Sequence, residues 1–221
     1  MRFTLILAAA LLLGACSSVP PAKERISVDL RSLKLTAGSA EAQFDRIMSL
    51  GGLKKGNIDV SYYPSSDVVC LQFRVDYVTV YQFWSKDNRD AFISALEKYK
   101  DAYEQRTLVD KKRKTKREYG KVLALSLWET TRFSAQGRGY PYLELGYYFK
   151  QKSPFFAITQ LESENENEQV KTGNRNSATF AVYFTRAQAE NLAALFDQEL
   201  LTGLGLNLPD KAESYVEKDD Y

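Results

Sequence analysis

Val69-Cys70-Leu71-Gln72-Phe73-Arg74-Val75-Asp76-Tyr77-Val78-Thr79-Val80-Tyr81-Gln82-Phe83-Trp84 is the stretch on which the fold turns. Leu71, Phe73, Val75 and Tyr77, then Tyr81 and Phe83, fall at odd positions, with Gln72, Arg74, Asp76 and Gln82 between them. Such alternation gives a strand one apolar face. The stretch is longer than an ordinary strand, so the spacing predicts a bend or bulge near Asp76. Upstream, residues 57–63 form a shorter strand, joined to it through the turn chemistry of Pro64-Ser65-Ser66-Asp67.

The same period returns downstream as a run of hairpins. Residues 122–133 carry Leu123, Leu125 and Leu127 on one face, and Gly137-Arg138-Gly139-Tyr140-Pro141 turns the chain. Leu143, Leu145, Tyr147 and Phe149 line the next strand, and Ser153-Pro154 marks another turn before residues 155–161. A polar loop over residues 162–176 leads to a last strand at 177–184. Short turns between successive strands imply antiparallel pairing.

Helical spacing predicts three helices among these strands. Ser39 caps the first, with Ala40, Phe44, Ile47 and Met48 as its apolar positions and Gly51-Gly52 as its end. Ser85 caps the second, whose stripe is Phe92, Ala95, Leu96, Tyr99 and Tyr103. Thr185 and Gln188 form a capping box for the third, running through Leu192, Leu195, Phe196 and Leu200 to Gly203. The expected class is therefore α+β, an antiparallel meander sheet or sheets with three helices.

Phe83-Trp84-Ser85-Lys86 matches Tyr183-Phe184-Thr185-Arg186, and Asp90, Phe92, Leu96 and Glu97 fall on Glu190, Leu192, Phe196 and Asp197 at the same offset. Two accounts stand: a duplicated strands-then-helix unit with halves 26–118 and 119–207, or the pattern of any strand running into an amphipathic helix. On the first account residues 26–35 open the first half as a strand. Repeated strands followed by a helix resemble the topology of the Whirly and PUR single-stranded nucleic-acid-binding folds. Fold alone does not imply that function.

The chain has 221 residues, 44% hydrophobic and 26% charged, with a net charge of +2, which suits an ordinary folded domain and does not single out nucleic acid as a partner. It contains no histidine, which removes Ser-His-Asp and Cys-His triads and histidine-containing zinc sites. Two cysteines do not make a four-cysteine metal site. No cofactor is expected. S-x-x-K beside S-D-N, G-x-S-x-G and G-x-x-x-x-G-K-[ST] are all missing from the sequence.

Met1-Arg2, an apolar run over residues 3–13 and the small residues Gly14-Ala15 make a secretory signal, too short to span a bilayer. Leu13-Gly14-Ala15-Cys16 resembles the lipobox of bacterial lipoproteins. That resemblance implies cleavage before Cys16, acylation of its sulfur and, with Ser17 following, an outer-membrane address in a Gram-negative host. Residues 1–15 are then a signal peptide, 16–25 a lipidated N-terminus and proline-stiffened tether, 26–207 a single α+β domain, and 208–221 an acidic tail. Cys70, left over in an oxidising compartment, reads as a small buried hydrophobe or as an intermolecular disulfide partner.

Lys111, Lys112, Arg113, Lys114, Lys116 and Arg117 form the densest charge cluster. They read as a solvated helix end or loop, or as a patch for anionic lipid, lipopolysaccharide or a cell-wall polymer. Glu162, Glu164, Glu166 and Glu168 alternate with polar residues in a loop that lacks a calcium-binding pattern, and read as solubilising. Tyr62-Tyr63 and Tyr147-Tyr148 point to opposite strand faces, so one ring of each pair could meet a glycan or protein. The functional expectation is an envelope lipoprotein that binds or scaffolds, held on the bilayer through Cys16, with an envelope protein as a further partner and no nucleic acid. The alternative is a cell-wall polymer hydrolase working through carboxylates.

Overall fold

A computed structural model describes residues 25–45, 52–110, 116–130, 136–167 and 176–206, with only the backbone described at 116 and 117. The decisive stretch is two strands rather than one bent strand. β3 (Val68–Val75) and β4 (Val78–Trp84) pair from Val69↔Trp84 to Val75↔Val78. Asp76, with φ 51, turns the chain in the left-handed region that aspartate tolerates. This tight turn changes which positions share a face. Val69, Leu71, Phe73 and Val75 face the main core with Val80 and Trp84, while Cys70 and Phe83 fall in a second cluster.

The α+β expectation is corrected: the described residues form a mostly β structure, one antiparallel sheet of ten strands curled into a half-barrel with three helices. The strands are β1 (Leu35–Asp45), β2 (Leu53–Tyr63), β3, β4, β5 (Lys116–Leu123), β6 (Leu125–Thr130), β7 (Gln136–Gly139), β8 (Tyr142–Lys150), β9 (Ser153–Gln160) and β10 (Phe180–Phe184). Their order is β5-β8-β9-β10-β1-β2-β3-β4-β6-β7. β1 lies where the first helix was expected. Ala40, Ala42 and Phe44 satisfy period two, all three are buried, and β1 is paired on both sides by β2 and β10. Sheet pairing therefore overrides a segment whose alanines suit either period. Ile47 and Met48 lie outside the described residues. Gly38 sits at a register shift with φ 146, where a Cβ would also come 3.0 Å from the Leu195 side chain.

Other boundaries move for local reasons. Residues 26–29 are not strand, and β1 begins only at Leu35. The turn expected at Ser153-Pro154 is at Gln151 and Lys152, both with positive φ, and Ser153 and Pro154 already pair with Lys150 and Phe149. Gly137 to Gly139 is strand β7, not a turn. The strand expected over 122–133 divides at Ala124. β5 runs into β6 across that single residue, and β7 into β8 across Tyr140-Pro141, so one bent hairpin carries both ends of the sheet order. The bond from Ala124 N to Pro141 O (3.2 Å) holds its two strands together at the bend.

Curling brings distant strands together inside. Gln82 Nε2 donates to Gln160 Oε1 (2.9 Å), five strands away in the sheet order, and Ser126 Oγ donates to the same oxygen (3.2 Å). Buried polar side chains are retained where they find partners. The helices pack on this inner face. α1 (Lys86–Glu104) is capped by Ser85 and buries Phe92, Ala95, Leu96 and Tyr99, whereas Tyr103 is exposed. α2 (Arg186–Ala194) has the full capping box of Thr185 and Gln188. The third expected helix breaks after α2. Asp197 accepts from Leu200 N (2.9 Å) and starts α3 (Gln198–Leu206), which buries Leu201 in place of Leu200. Buried Arg89 ties these parts together. It donates to Asp67 Oδ1 (2.8 Å), Asp67 O (2.9 Å) and Gln198 Oε1 (2.7 Å).

The outer face has its own cover. Ile26 and Val28 lie on Tyr63, Val68, Cys70, Phe83 and Leu125, so both Tyr62 and Tyr63 are buried rather than one of them exposed. Burial pushes the Cys70 thiol up to about 12 from 9.0, and also raises Tyr62, Tyr63, Tyr81, Tyr99 and Tyr183. These protons are held more tightly in the folded chain. Their contribution is whole below the unfolded values and is lost as pH rises through the folded ones. The urea midpoint is therefore expected to hold up to about pH 9 and fall above it, with Cys70 labelled by a thiol reagent only in denaturant. A midpoint that rises above about pH 9, or rapid labelling of the native chain, contradicts this.

Candidate functional site

The outer face of β4, β6 and β7 forms the floor of a trough. Register sets its two rows: Tyr81, Leu127 and Arg138 stand side by side, and Thr79, Glu129 and Gln136 form the next row. Tyr81, Leu127, Trp128, Glu129, Gln136, Gly137 and Arg138 line a space of about 440 Å³ with Glu166 and Asn167 from the loop after β9. That volume is within the range of small-molecule sites.

Two glycines, at the positions that alternate with this floor, let the Trp128 ring and the loop pack against β7 from the other face. A Cβ on Gly137 would fall 2.0 Å from the Trp128 indole, and one on Gly139 would fall 2.5 Å from the carbonyl oxygen of Glu164. Without them the ring does not lie across β7, and the loop does not cross it. Glu166 N donates to Arg138 O (2.7 Å), and Arg138 N donates to Asn165 Oδ1 (3.1 Å), so the loop occupies the outer edge of β7.

Polar groups converge on the trough already oriented. Tyr81 donates to Glu129 Oε1 (3.0 Å), and burial, followed by that carboxylate, raises the phenol above its ordinary value. Arg138 Nη2 donates to Tyr140 OH (3.4 Å). Arg25 pairs with Glu166 (3.1 Å) and lies 4.7 Å from the centre of the Tyr140 ring. This set can bind hydroxyls and amides.

A second depression, of about 400 Å³, lies at the ends of β1 to β3 between Phe44, Asp45, Lys54, Lys55, Asn57, Arg74 and Asp76. Its Asp45 is occupied by Lys150 Nζ (2.9 Å) and Tyr183 OH (2.8 Å), which makes that end a structural ion pair.

Cys16 and the basic residues Lys111, Lys112, Arg113 and Lys114 lie outside the described residues. Lys116 and Arg117 open β5, opposite Tyr148 and Tyr147, at the far end of the sheet order from β7. Of the acidic run, Glu166 reaches the trough, Glu164 bridges to Asn176, Glu162 accepts from Asn176 Nδ2 (2.8 Å), and Glu168 lies outside the described residues. Trp128, Glu129 and Arg138 had no motif to single them out; the glycines flanking Arg138 were the available signal. Among the described residues no group of three or more His, Cys, Asp or Glu could hold a metal ion. No helix among them is long and apolar enough to cross a membrane.

The sequence matches, over residues 27–203, the family described as uncharacterised Treponema protein. No curated protein and no solved structure matches the chain.

Proposed function

Since the chain belongs to the uncharacterised Treponema protein family, a premise that carries no activity, we propose its role from its own residues: an exported lipoprotein, acylated at Cys16, that holds a binding trough close to a bilayer. The lipobox-like Leu13-Gly14-Ala15-Cys16 supplies the anchor. One observation carries the rest. Arg25, where the tether ends, pairs with Glu166 on the rim of the trough and lies against Tyr140, while Ile26 packs on the outer face. Residues 17–25 span at most about 30 Å when fully extended. The tether thus emerges beside the trough and keeps it within that distance of the lipid.

Lys111, Lys112, Arg113, Lys114, Lys116 and Arg117 add an anionic-surface contact to this reading. Six cations contribute roughly 1 kcal/mol each near an anionic leaflet, with strong salt screening. Full-length Cys16→Ala protein is expected to bind vesicles of phosphatidylglycerol and phosphatidylcholine, and to lose about tenfold or more in affinity when the six are changed to Gln. Equal binding of the two proteins returns the run to a solvated surface.

A further inference from the structure

We propose that the trough over β4, β6 and β7 is a glycan subsite, taking a short, neutral, hydroxyl-rich ligand; this deepens the binding reading above and rests on it. Charge is the first argument. Glu129 and Glu166 line the trough, and Arg138 and the Arg25 partnered to Glu166 balance them, so the site offers neither an anion nor a cation a net field. What it offers is alternation. Two carboxylates accept, a guanidinium donates, and the amides of Gln136 and Asn167 do both, around a floor made by the Tyr81 ring and Leu127. A sugar has the matching character: hydroxyls that donate and accept, on rings whose C–H faces suit an aromatic surface.

Geometry separates a glycan from a peptide. Peptides commonly bind a sheet by adding a strand to a free edge. The edge of β7 is not free at Arg138, where both its N–H and its carbonyl oxygen are bonded to the loop residues Asn165 and Glu166. Recognition must then come from side chains above the sheet, which is how these are arranged. The ligand-facing groups are also held in advance: Tyr81 fixes Glu129, the loop backbone fixes the Arg138 main chain, and Arg25 fixes Glu166. Holding groups in the bound arrangement lowers the ordering cost of binding.

Isothermal titration of the detergent-solubilised full-length chain with neutral β-linked glucose and N-acetylglucosamine tetrasaccharides tests this. Saturable binding is expected with at least one of them, weakened about tenfold or more by Arg138→Ala and by Glu129→Gln. Lys98→Ala, at an exposed position on α1, is expected to leave it unchanged. Circular dichroism of each variant separates lost binding from lost folding. Binding to none of the sugars, or binding that both trough variants leave intact, overturns the glycan assignment, as does saturable binding of a tetrapeptide with no binding of sugar. Such a result leaves the anchor standing, because acylation at Cys16 is read separately.

Discussion

Phe92→Ala is expected to lower the folding stability of the chain by about 3–5 kcal/mol, read as a fall in the urea midpoint. Phe92 is fully buried on α1, and its ring meets Trp84 at 6.0 Å, Phe156 at 5.3 Å and Phe196 at 5.2 Å, each edge to face. Those partners come from β4, from β9 and from the break between α2 and α3, so a single side chain joins the helices to strands five apart in the sheet order. Truncation loses the burial of the ring, leaves a cavity and removes three aromatic contacts, each contributing about 0.5–1.5 kcal/mol beyond area. Tyr103, eleven positions further along α1 and exposed, is the comparison. Its change to Ala is expected to cost less than about 1 kcal/mol. If the two variants lose the same amount, the curled sheet is not organised around the Phe92 cluster.

What the sequence made legible was mostly local. Ser85 and Thr185 were readable as helix caps because a cap needs only a side-chain oxygen and the next turn of backbone. The alternation from Val69 to Phe83 was readable as strand, but not as a hairpin. It continues smoothly through Asp76, whose left-handed backbone is a property of conformation and not of composition. Reading through that turn put Leu71 and Phe83 on one face, whereas the pairing register puts them on opposite faces, each under its own cover. Ala40, Ala42 and Phe44 failed for a different reason. Alanine is at home in either element, and the choice was made by β2 and β10, which no local window contains.

The trough was the least legible feature. Its floor comes from residues 81, 127 and 138, aligned by two successive strand pairings, and its rim from residue 166 by way of a loop that crosses a glycine. None of these residues belongs to a motif with fixed spacing. Reading Gly137-Arg138-Gly139 as a turn was a reasonable inference from glycine's freedom, but these glycines serve close approach instead. A Trp one strand away from a Gly is the pattern to look for in related sequences, because the missing side chain on one strand is the space taken by the ring on the next.

Changing Cys16 to Ala, with residues 1–15 exchanged for a signal that is cleaved without acylation, is expected to abolish incorporation of a labelled fatty acid and to move the chain from the membrane fraction to the soluble one. Each acyl methylene in the bilayer contributes about 0.8 kcal/mol, so one chain holds a protein marginally and two or more hold it stably. Any attraction through the basic run is screened by salt, whereas acyl burial is not. High salt during fractionation therefore isolates the anchor. Cys70 is the built-in control. Its thiol is buried beneath Ile26 and pushed up to about 12, so it is neither accessible nor ionised for modification in the folded chain. Cys70→Ala is accordingly expected to label and fractionate like the unchanged protein. Equal labelling of the Cys16→Ala and unchanged proteins would remove the anchor, and with it the reason for holding the trough beside a membrane. Loss of label on Cys16→Ala alone would fix the attachment point at a known contour length from Arg25, and so tie the orientation of the trough to a single thioether.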